Sequence, residues 1–256
     1  MRTRPVLRWR PAWQVSTGGQ VESSPTIVNG VVYIGSDAGL VLAIAESTGT
    51  VLWTSTIASP GVSSPAVDES AGLLVIGDSS GNVDAISTSG ANTGSLVWSF
   101  PTDGTIPDTP IISGGRVYAG SSDGSEYALS ESTGSLVWST SIGGSPSATA
   151  SVYQEDLFVG NSAGTLFNLS TANGTTNWTV QTHGAITGIS TTSGLIYAES
   201  ANGWITGFRP GSTETVWLAQ TGAGLSTTPS ISDNAVIVGA GDGSLRVYTP
   251  YTEPMN

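Results

Sequence analysis

The string STGTVLW at residues 47–53 returns along the chain at a nearly constant interval. Its relatives are NTGSLVW at residues 92–98, STGSLVW at 132–138 and ANGTTNW at 172–178, while GSTETVW at 211–217 keeps little beyond the tryptophan. Six tryptophans mark the period: Trp13, Trp53, Trp98, Trp138, Trp178 and Trp217. Successive members lie 40, 45, 40, 40 and 39 residues apart. An interval of this length indicates a repeat protein in which each unit is one supersecondary motif.

A second series of short turns recurs in phase with the tryptophans. These turns end at Gly39, Gly81, Gly124, Gly164, Gly203 and Gly243. In the first unit, Asn29-Gly30 adds a strong hairpin signal between two β-prone runs. Glycine supplies the positive φ that such turns need, so the pattern predicts four short antiparallel strands in each unit.

A four-stranded unit cannot bury both of its faces alone, whereas units stacked around an axis can. We therefore predict one all-β domain over residues 1–256, a six-bladed β-propeller of four-stranded antiparallel blades. The blades are expected at residues 21–56, 61–101, 106–141, 146–181, 185–220 and 225–250. The last blade lacks its tryptophan strand, and we predict that residues 5–15 supply it. The alternative is that the first residues are a broken leading repeat of a larger ring.

Composition excludes several classes of protein. The chain has a net charge of −12, seven arginines and no lysine, which argues against a nucleic-acid partner. It has no cysteine, so disulfides and thiolate metal sites are excluded. No apolar run approaches the roughly 20 residues of a membrane span. Only 10% of residues are charged, and this polar, low-charge composition leads us to expect an extracytoplasmic monomer: periplasmic, cell-surface or secreted, with its native export signal absent from this chain.

Residues 43–53, AIAESTGTVLW, resemble the tryptophan-docking motif of the PQQ-like (quinoprotein-alcohol-dehydrogenase-like) β-propeller repeats. That motif is Ala-x-Asp-x-x-Thr-Gly-Lys-x-x-Trp, and residues 128–138 match it with Ser130 and Ser135 at the Asp and Lys positions. The resemblance implies that each of the six tryptophans packs between adjacent blades. It also implies that the motif glycines offer the rings a flat backbone surface, and these are Gly49, Gly94, Gly134 and Gly174.

The PQQ-like family contains enzymes and non-enzymes, so the fold alone does not determine function. The family's alcohol dehydrogenases hold pyrroloquinoline quinone and Ca²⁺ and use an adjacent cysteine pair, and this chain has no cysteine. It also has a single histidine, His183. We therefore predict a non-catalytic binding or scaffold propeller with no cofactor, metal site or catalytic residues. It resembles most the non-enzymatic, barrel-assembly-lipoprotein-like members. A reduced quinoprotein dehydrogenase binding the quinone and Ca²⁺, and a sensor domain of a larger surface protein, are the alternatives.

Acidic residues in the turns are the candidate binding residues. Turns between second and third strands hold Asp37, Asp78, Asp123 and Asp242, and the loops between blades add Glu22, Asp103 and Asp108. These turns share one face of a propeller, which would suit a protein or glycan partner. The competing interpretation is that each aspartate caps its own turn. Trp204, which follows an Asn-Gly turn, is a further candidate for stacking against a ligand.

Overall fold

The computed structural model describes residues 10–59, 63–192, 194–225, 228–232 and 235–249. Within these residues lie 23 β-strands and one 3₁₀ turn at Gly90–Asn92. The strands of sheets 1 to 3 are β1 (Thr26–Val28), β2 (Val31–Ser36), β3 (Leu40–Ala45), β4 (Val51–Thr56); β5 (Ala66–Asp68), β6 (Leu73–Gly77), β7 (Asn82–Ser87), β8 (Leu96–Pro101); β9 (Ile111–Ser113), β10 (Arg116–Ser121), β11 (Ser125–Ser130) and β12 (Leu136–Ser141). Those of sheets 4 to 6 are β13 (Ser151–Tyr153), β14 (Asp156–Gly160), β15 (Thr165–Ser170), β16 (Thr176–Gln181); β17 (Ile186–Thr191), β18 (Ile196–Ser200), β19 (Trp204–Phe208), β20 (Thr215–Gln220); β21 (Ser230–Ser232), β22 (Ala235–Gly239) and β23 (Leu245–Tyr248).

Each sheet is an antiparallel meander in which strands pair in chain order. The predicted all-β propeller is confirmed. The second and third strands are rich in Val, Ile and Leu and are buried on both faces, as in β6, where all five residues are buried. The fourth strands are partly exposed and lie at the outer edge of each sheet. Asn29 and Gly30 both have positive φ, 45° and 76°, as the hairpin signal between β1 and β2 requires.

The hydrophobic core lies in the seams between neighbouring sheets. At the first seam, Tyr33 and Val41 of sheet 1 pack with Leu74 and Ile76 of sheet 2. The following seams repeat this arrangement with aliphatic and aromatic residues. Sheets 2 to 5 each bury their two faces against two neighbouring sheets, so the core of the fold is shared between sheets.

A glycine near the end of the second strand lets neighbouring sheets approach closely. A Cβ added to Gly120 would lie 2.6 Å from the Pro146 ring of sheet 4, and one added to Gly160 would lie 2.5 Å from Ile186 of sheet 5. The same ladder position is glycine in five of the six sheets: Gly35, Gly77, Gly120, Gly160 and Gly239. Sheet 5 has Glu199 there instead.

The first and last sheets differ from the others. Trp13 and Val15 pack on the face of sheet 1 that includes Ile34 and Leu42. Within the described residues, sheet 6 has three strands, and residues 10–15 are not in a strand. Residues 5–9 of the predicted closing strand lie outside the described residues, so closure of the ring by residues 5–15 stays a prediction.

Candidate functional site

The tryptophans of the repeat lie at the seams, and Trp13, Trp98, Trp138 and Trp178 each donate the indole N–H to a backbone carbonyl of the following unit. Trp98 Nε1 donates to the Glu131 carbonyl at 2.7 Å, and Trp138 Nε1 donates to the Thr171 carbonyl at 3.0 Å. Trp13 makes the same bond to the Glu46 carbonyl of sheet 1, at 2.7 Å. Trp13 therefore stands where the fourth-strand tryptophan of a preceding sheet would stand.

The motif glycines face these indole rings with positive φ. An added Cβ would lie 2.6 Å from the ring of Trp13 at Gly49, of Trp98 at Gly134 and of Trp138 at Gly174. At Gly94 the distance to Trp53 is 3.4 Å. The turn before Gly94 is longer and contains the 3₁₀ turn, which accounts for the looser contact.

Trp217 lies at the seam between sheets 5 and 6 in a different environment. It packs edge-on against Tyr197 and Tyr248, with ring centroids 5.8 and 5.7 Å away. It is partly exposed. Residues 250–256, which follow β23 in the sequence, lie outside the described residues.

Two of the seven predicted acidic residues line a groove at the loop face. Glu22 and Asp37 border a cavity of about 290 Å³ that also includes Ser63 and Thr105, so the groove crosses sheets 1 to 3. The Asp37 amide donates to the Gln20 carbonyl at 2.8 Å, and the Gln20 side-chain amide donates to Glu22 Oε1 at 2.8 Å. Gln20 thus contacts both acidic residues at the groove, Asp37 through the backbone and Glu22 through its side chain.

Asp103 and Asp123 meet at the next seam of the same face. The Asp103 amide donates to Asp123 Oδ2 at 3.3 Å, and the Tyr127 hydroxyl donates to the same oxygen at 2.7 Å. Burial raises the pKa of Asp123, but hydrogen bonds from Tyr127, Ser121 and Ser125 outweigh that effect and leave its pKa below the usual value. Asp123 is therefore a firmly ionised group beside the groove.

Asp78 and Asp242 are engaged by their own turns. Asp78 is fully buried and accepts hydrogen bonds from the amides of Ser80 and Asn82 and from the Asn82 side chain. Asp242 accepts from Ser244 and forms an ion pair with Arg246 at 2.5 Å. Both arrangements are those expected of aspartates that cap a turn.

Asp108 is part of a buried acidic pair in sheet 3. Asp108 Oδ2 and Glu126 Oε1 are both buried and have no hydrogen-bond partner among the described residues. Burial raises the pKa of Asp108. Burial, with the nearby Asp108 carboxylate, raises the pKa of Glu126 to about 8.

Glu199 is a second buried acid, which the motif analysis did not single out. It is fully buried, and neither of its carboxyl oxygens has a partner within the described part of the chain. Burial raises its pKa to about 8. The signal in the sequence was that residue 199 is a glutamate where the second strand of the other five sheets has a glycine. Because side chains alternate along a strand, Glu199 lies on the same face as Tyr197, toward sheet 6.

Trp204 is stacked against the single histidine. The rings of His183 and Trp204 lie 4.3 Å apart at an interplanar angle of 19°. The Asn202 side chain donates to the His183 carbonyl, which fixes the loop. One face of the Trp204 indole is therefore covered by His183.

Within the described residues, no group of three or more His, Asp or Glu side chains is placed to hold a metal ion. The same part of the chain contains no helix long and apolar enough to cross a membrane. The acidic groups of the loop face are suited to binding through charge and hydrogen bonds.

Comparison with known sequences gives one family and two relatives. The family described as outer membrane protein assembly factor BamB matches residues 7–88 and 70–185. The BamB protein of Yersinia pestis is 33% identical over 134 residues, covering 46% of this chain and 33% of that protein. BamB of Moranella endobia (strain PCIT) is 27% identical over the same shares of both chains. The matched segment spans about a third of the length of these relatives.

Three solved structures share the fold. BamB from Moraxella catarrhalis superposes with a TM-score of 0.79 at 20% identity, over 93% of this chain and 75% of that chain. The computationally designed Ika8 protein gives 0.81 at 19% identity, over 90% and 71% of the two chains. The quinohemoprotein alcohol dehydrogenase ADHIIG from Pseudomonas putida HK5 gives 0.67 at 15% identity, over 82% and 43%. At these identities the likeness concerns the fold alone.

Proposed function

Because the chain belongs to the family of the outer membrane protein assembly factor BamB, we propose that it is a non-catalytic, protein-binding propeller that acts in outer membrane protein assembly. The family match carries the proposal. The resemblance of the tryptophan-docking motifs to those of PQQ-like repeats agrees with it. On this proposal the chain works outside the cytoplasm, as a monomer and without a bound cofactor.

The loop face over sheets 1 to 3 is the proposed binding surface. Glu22 and Asp37 border its groove, and Asp103 and Asp123 lie at the adjoining seam. The chain carries 19 acidic and seven basic residues, so a basic segment of the partner protein would be attracted to this face. Serine and threonine hydroxyls in the groove supply hydrogen-bonding groups beside the charges.

The experiment is a comparison of immobilised variants incubated with an extract from the chain's own host. The wild-type chain is expected to retain a protein partner, and the double variant Glu22→Gln, Asp37→Asn is expected to lose it. Asp242→Asn is the matched control, because Asp242 is a loop-face acid already engaged by Ser244 and Arg246. Raising the salt concentration should weaken retention by the wild type.

Equal retention by the wild type and the double variant would refute the proposed surface. Retention of a glycan in place of a protein would refute the proposed partner class. A quinone-dependent dehydrogenase would instead gain thermal stability when pyrroloquinoline quinone and Ca²⁺ are added together, because a ligand that binds only the folded state raises the melting temperature. We expect no such gain.

A further inference from the structure

A cavity of about 460 Å³ lies between sheets 2 and 3, at the end of the sheets opposite to the loop face. Its walls include turns that join a first strand to a second and a third strand to a fourth. It is therefore separate from the groove at Glu22 and Asp37. Its volume lies within the roughly 300–1,000 Å³ that is typical of small-molecule pockets.

The lining of this cavity is apolar in one part and polar in another. Leu73 and Val97 supply aliphatic side chains. The polar side chains of the lining are those of Ser87, Ser89, Ser132 and Glu131. Such a lining suits a ligand that has an aliphatic part and a polar head.

The longest turn of the repeat forms one wall of the cavity. The interval between the second and third repeat tryptophans is 45 residues, and the extra residues fall in the turn between β7 and β8, which contains the 3₁₀ turn Gly90–Asn92. In this turn the Ser89 hydroxyl lies against Gly72 and leaves no room there for a Cβ. The Thr88 amide donates to the Gly72 carbonyl at 2.8 Å. This wall is therefore held in place by features of sheet 2 itself.

Glu131 is a buried acid at the wall that sheet 3 provides. It is 7% exposed, and its Oε1 has no hydrogen-bond partner among the described residues. Glu46 holds the same repeat position in sheet 1, and the carbonyls of both glutamates accept an indole N–H, yet Glu46 is exposed. A buried carboxyl oxygen without a partner is costly, so Glu131 favours an occupant that supplies a donor.

Asp68 of sheet 2 adds a fixed negative charge beside Glu131. Hydrogen bonds from the Ser70 hydroxyl and the Ala71 amide hold the pKa of Asp68 below its usual value. Burial, with the neighbouring Asp68 carboxylate, raises the pKa of Glu131. The two carboxyls therefore share a site in which one is ionised and the other resists ionisation.

No cation of the described chain compensates this pair of acids. Neither Asp68 nor Glu131 forms an ion pair with a described residue. Arg116 follows a lining residue of the cavity in sequence, but its guanidinium donates to the Thr171 carbonyl of sheet 4. In the described structure the cavity thus has an acidic wall without a basic partner, and a cationic occupant would satisfy it.

We propose that the cavity at Glu131 binds a guanidinium group carried on an aliphatic stem. Glu131 and Asp68 accept the guanidinium N–H groups. The stem lies against Leu73 and Val97. A guanidinium is always charged and presents five N–H donors in one plane, so it can bond two neighbouring carboxyls at once. The site goes beyond the proposed protein-binding surface and does not depend on it.

The experiment is a titration of the ¹⁵N-labelled full chain with butylguanidinium, followed through its amide resonances by NMR. Neutral butylurea is the matched probe, because it keeps the stem and the planar head without the charge. Butylguanidinium should move the amide resonances of Gly72, Gly115 and Ser132 in a saturable manner. It should bind at least about tenfold more tightly than butylurea, the equivalent of one hydrogen bond to a charged group.

A capped Gly-Arg-Gly peptide distinguishes two sources of the same chemistry. Binding of the peptide at least as tightly as butylguanidinium supports the site and assigns it to an arginine side chain of another protein. Binding of butylguanidinium without binding of the peptide supports the site and assigns it to a free alkylguanidine.

Two variants test the acceptors. Glu131→Gln and Asp68→Asn each remove one carboxylate and keep its size, and each should weaken butylguanidinium binding about tenfold. Glu46→Gln is the matched control, because Glu46 holds the same repeat position at an exposed site, and it should bind as the wild type does. The melting temperature of each variant shows whether it is folded, and a folded variant of either acid is sufficient for the test.

Three results overturn the proposal. The first is equal binding of butylguanidinium and butylurea. The second is a set of resonance changes centred on the loop-face acids Glu22 and Asp37, which would show attraction of cations to the acidic surface in general. The third is wild-type affinity in the folded Glu131→Gln or Asp68→Asn variants.

Discussion

The seam between sheets 2 and 3 and the seam between sheets 5 and 6 are built on the same residue type in different surroundings. Trp98 is buried, bonds to the Glu131 carbonyl and lies flat against Gly134. Trp217 is partly exposed and packs edge-on between two tyrosines. The same repeat position therefore has two surroundings, a carbonyl and a glycine at Trp98 and two tyrosine rings at Trp217.

The difference has a consequence for stability along the chain. In a repeat protein, stability is approximately a sum of unit terms and nearest-neighbour terms. On the next-sheet face of sheet 6, Leu245 is 73% exposed and Val247 is 58% exposed. Val41 and Val83, at the position of Leu245 in sheets 1 and 2, are fully buried. We expect sheet 6 to contribute less to the stability of the fold than sheets 2 to 4.

Replacing Trp98 or Trp217 by alanine tests this comparison with the largest expected change in the free energy of unfolding. Trp98→Ala should lower the free energy of unfolding by about 3–5 kcal/mol, the range for a buried aromatic residue. Trp217→Ala should cost about 1–2 kcal/mol, because less of its surface is buried. Urea unfolding followed by circular dichroism measures both. Equal losses for the two variants would show that the seams are equivalent and that the comparison is mistaken.

The glycine that faces the ring gives the next largest effect. Gly134 has φ +68° and an added Cβ would lie 2.6 Å from Trp98, so Gly134→Ala combines backbone strain with a clash. We expect a loss of about 2–4 kcal/mol in thermal unfolding. Gly143→Ala is the matched control, since Gly143 has φ +66° and open space around it. It should cost about 1 kcal/mol. A loss at Gly134 no larger than at Gly143 would mean that ring contact adds nothing.

Most of the fold could be predicted from the sequence repeat. The tryptophan interval and the in-phase turns are local features, so the four-stranded unit and its propeller class could be predicted from the sequence, and both are confirmed. The loop-face groove depends on how three sheets meet, and no single unit encodes it. The sequence could therefore nominate Glu22 and Asp78 equally, although the first lines the groove and the second is buried in its own turn.

The buried glutamates show a second limit of prediction from the sequence alone. Glu199 stands at the second-strand position that is glycine in the other five sheets, and Glu126 lies on the third strand opposite the glycine at that position, Gly120. The surroundings of this position are set by the following sheet, about 20 residues or more away in sequence. Glutamate is usually exposed, so a strand pattern alone gives no reason to bury it. The sequence showed a glutamate at residue 199 in place of the recurring glycine, but its burial followed only from the packing of neighbouring sheets.

The smallest predicted effect concerns Glu199, at the seam that Trp217 shares. Its folded-state pKa of about 8 lies above the ordinary value of 4.5. Between these values the folded state keeps a proton that the unfolded state releases, so the contribution of Glu199 to stability falls as the pH rises from 4.5 through 8. Glu199→Gln cannot ionise. It should therefore match the wild type near about pH 5 and exceed its stability by about 1–3 kcal/mol near about pH 9.

Glu126→Gln tests whether this behaviour belongs to one seam or to buried acids in general. Glu126 shares its site with Asp108, whose own pKa is also raised. Removing one carboxyl relieves the other, so the stability curve of Glu126→Gln should flatten with pH at least as much as that of Glu199→Gln. Asp242→Asn is the control, because the Asp242 carboxylate is exposed and paired with Arg246. Urea unfolding of the wild type, the two glutamine variants and the control across this pH range measures these differences in stability. If the wild type and Glu199→Gln keep a constant difference from acid to base, Glu199 is not the titrating group at this seam.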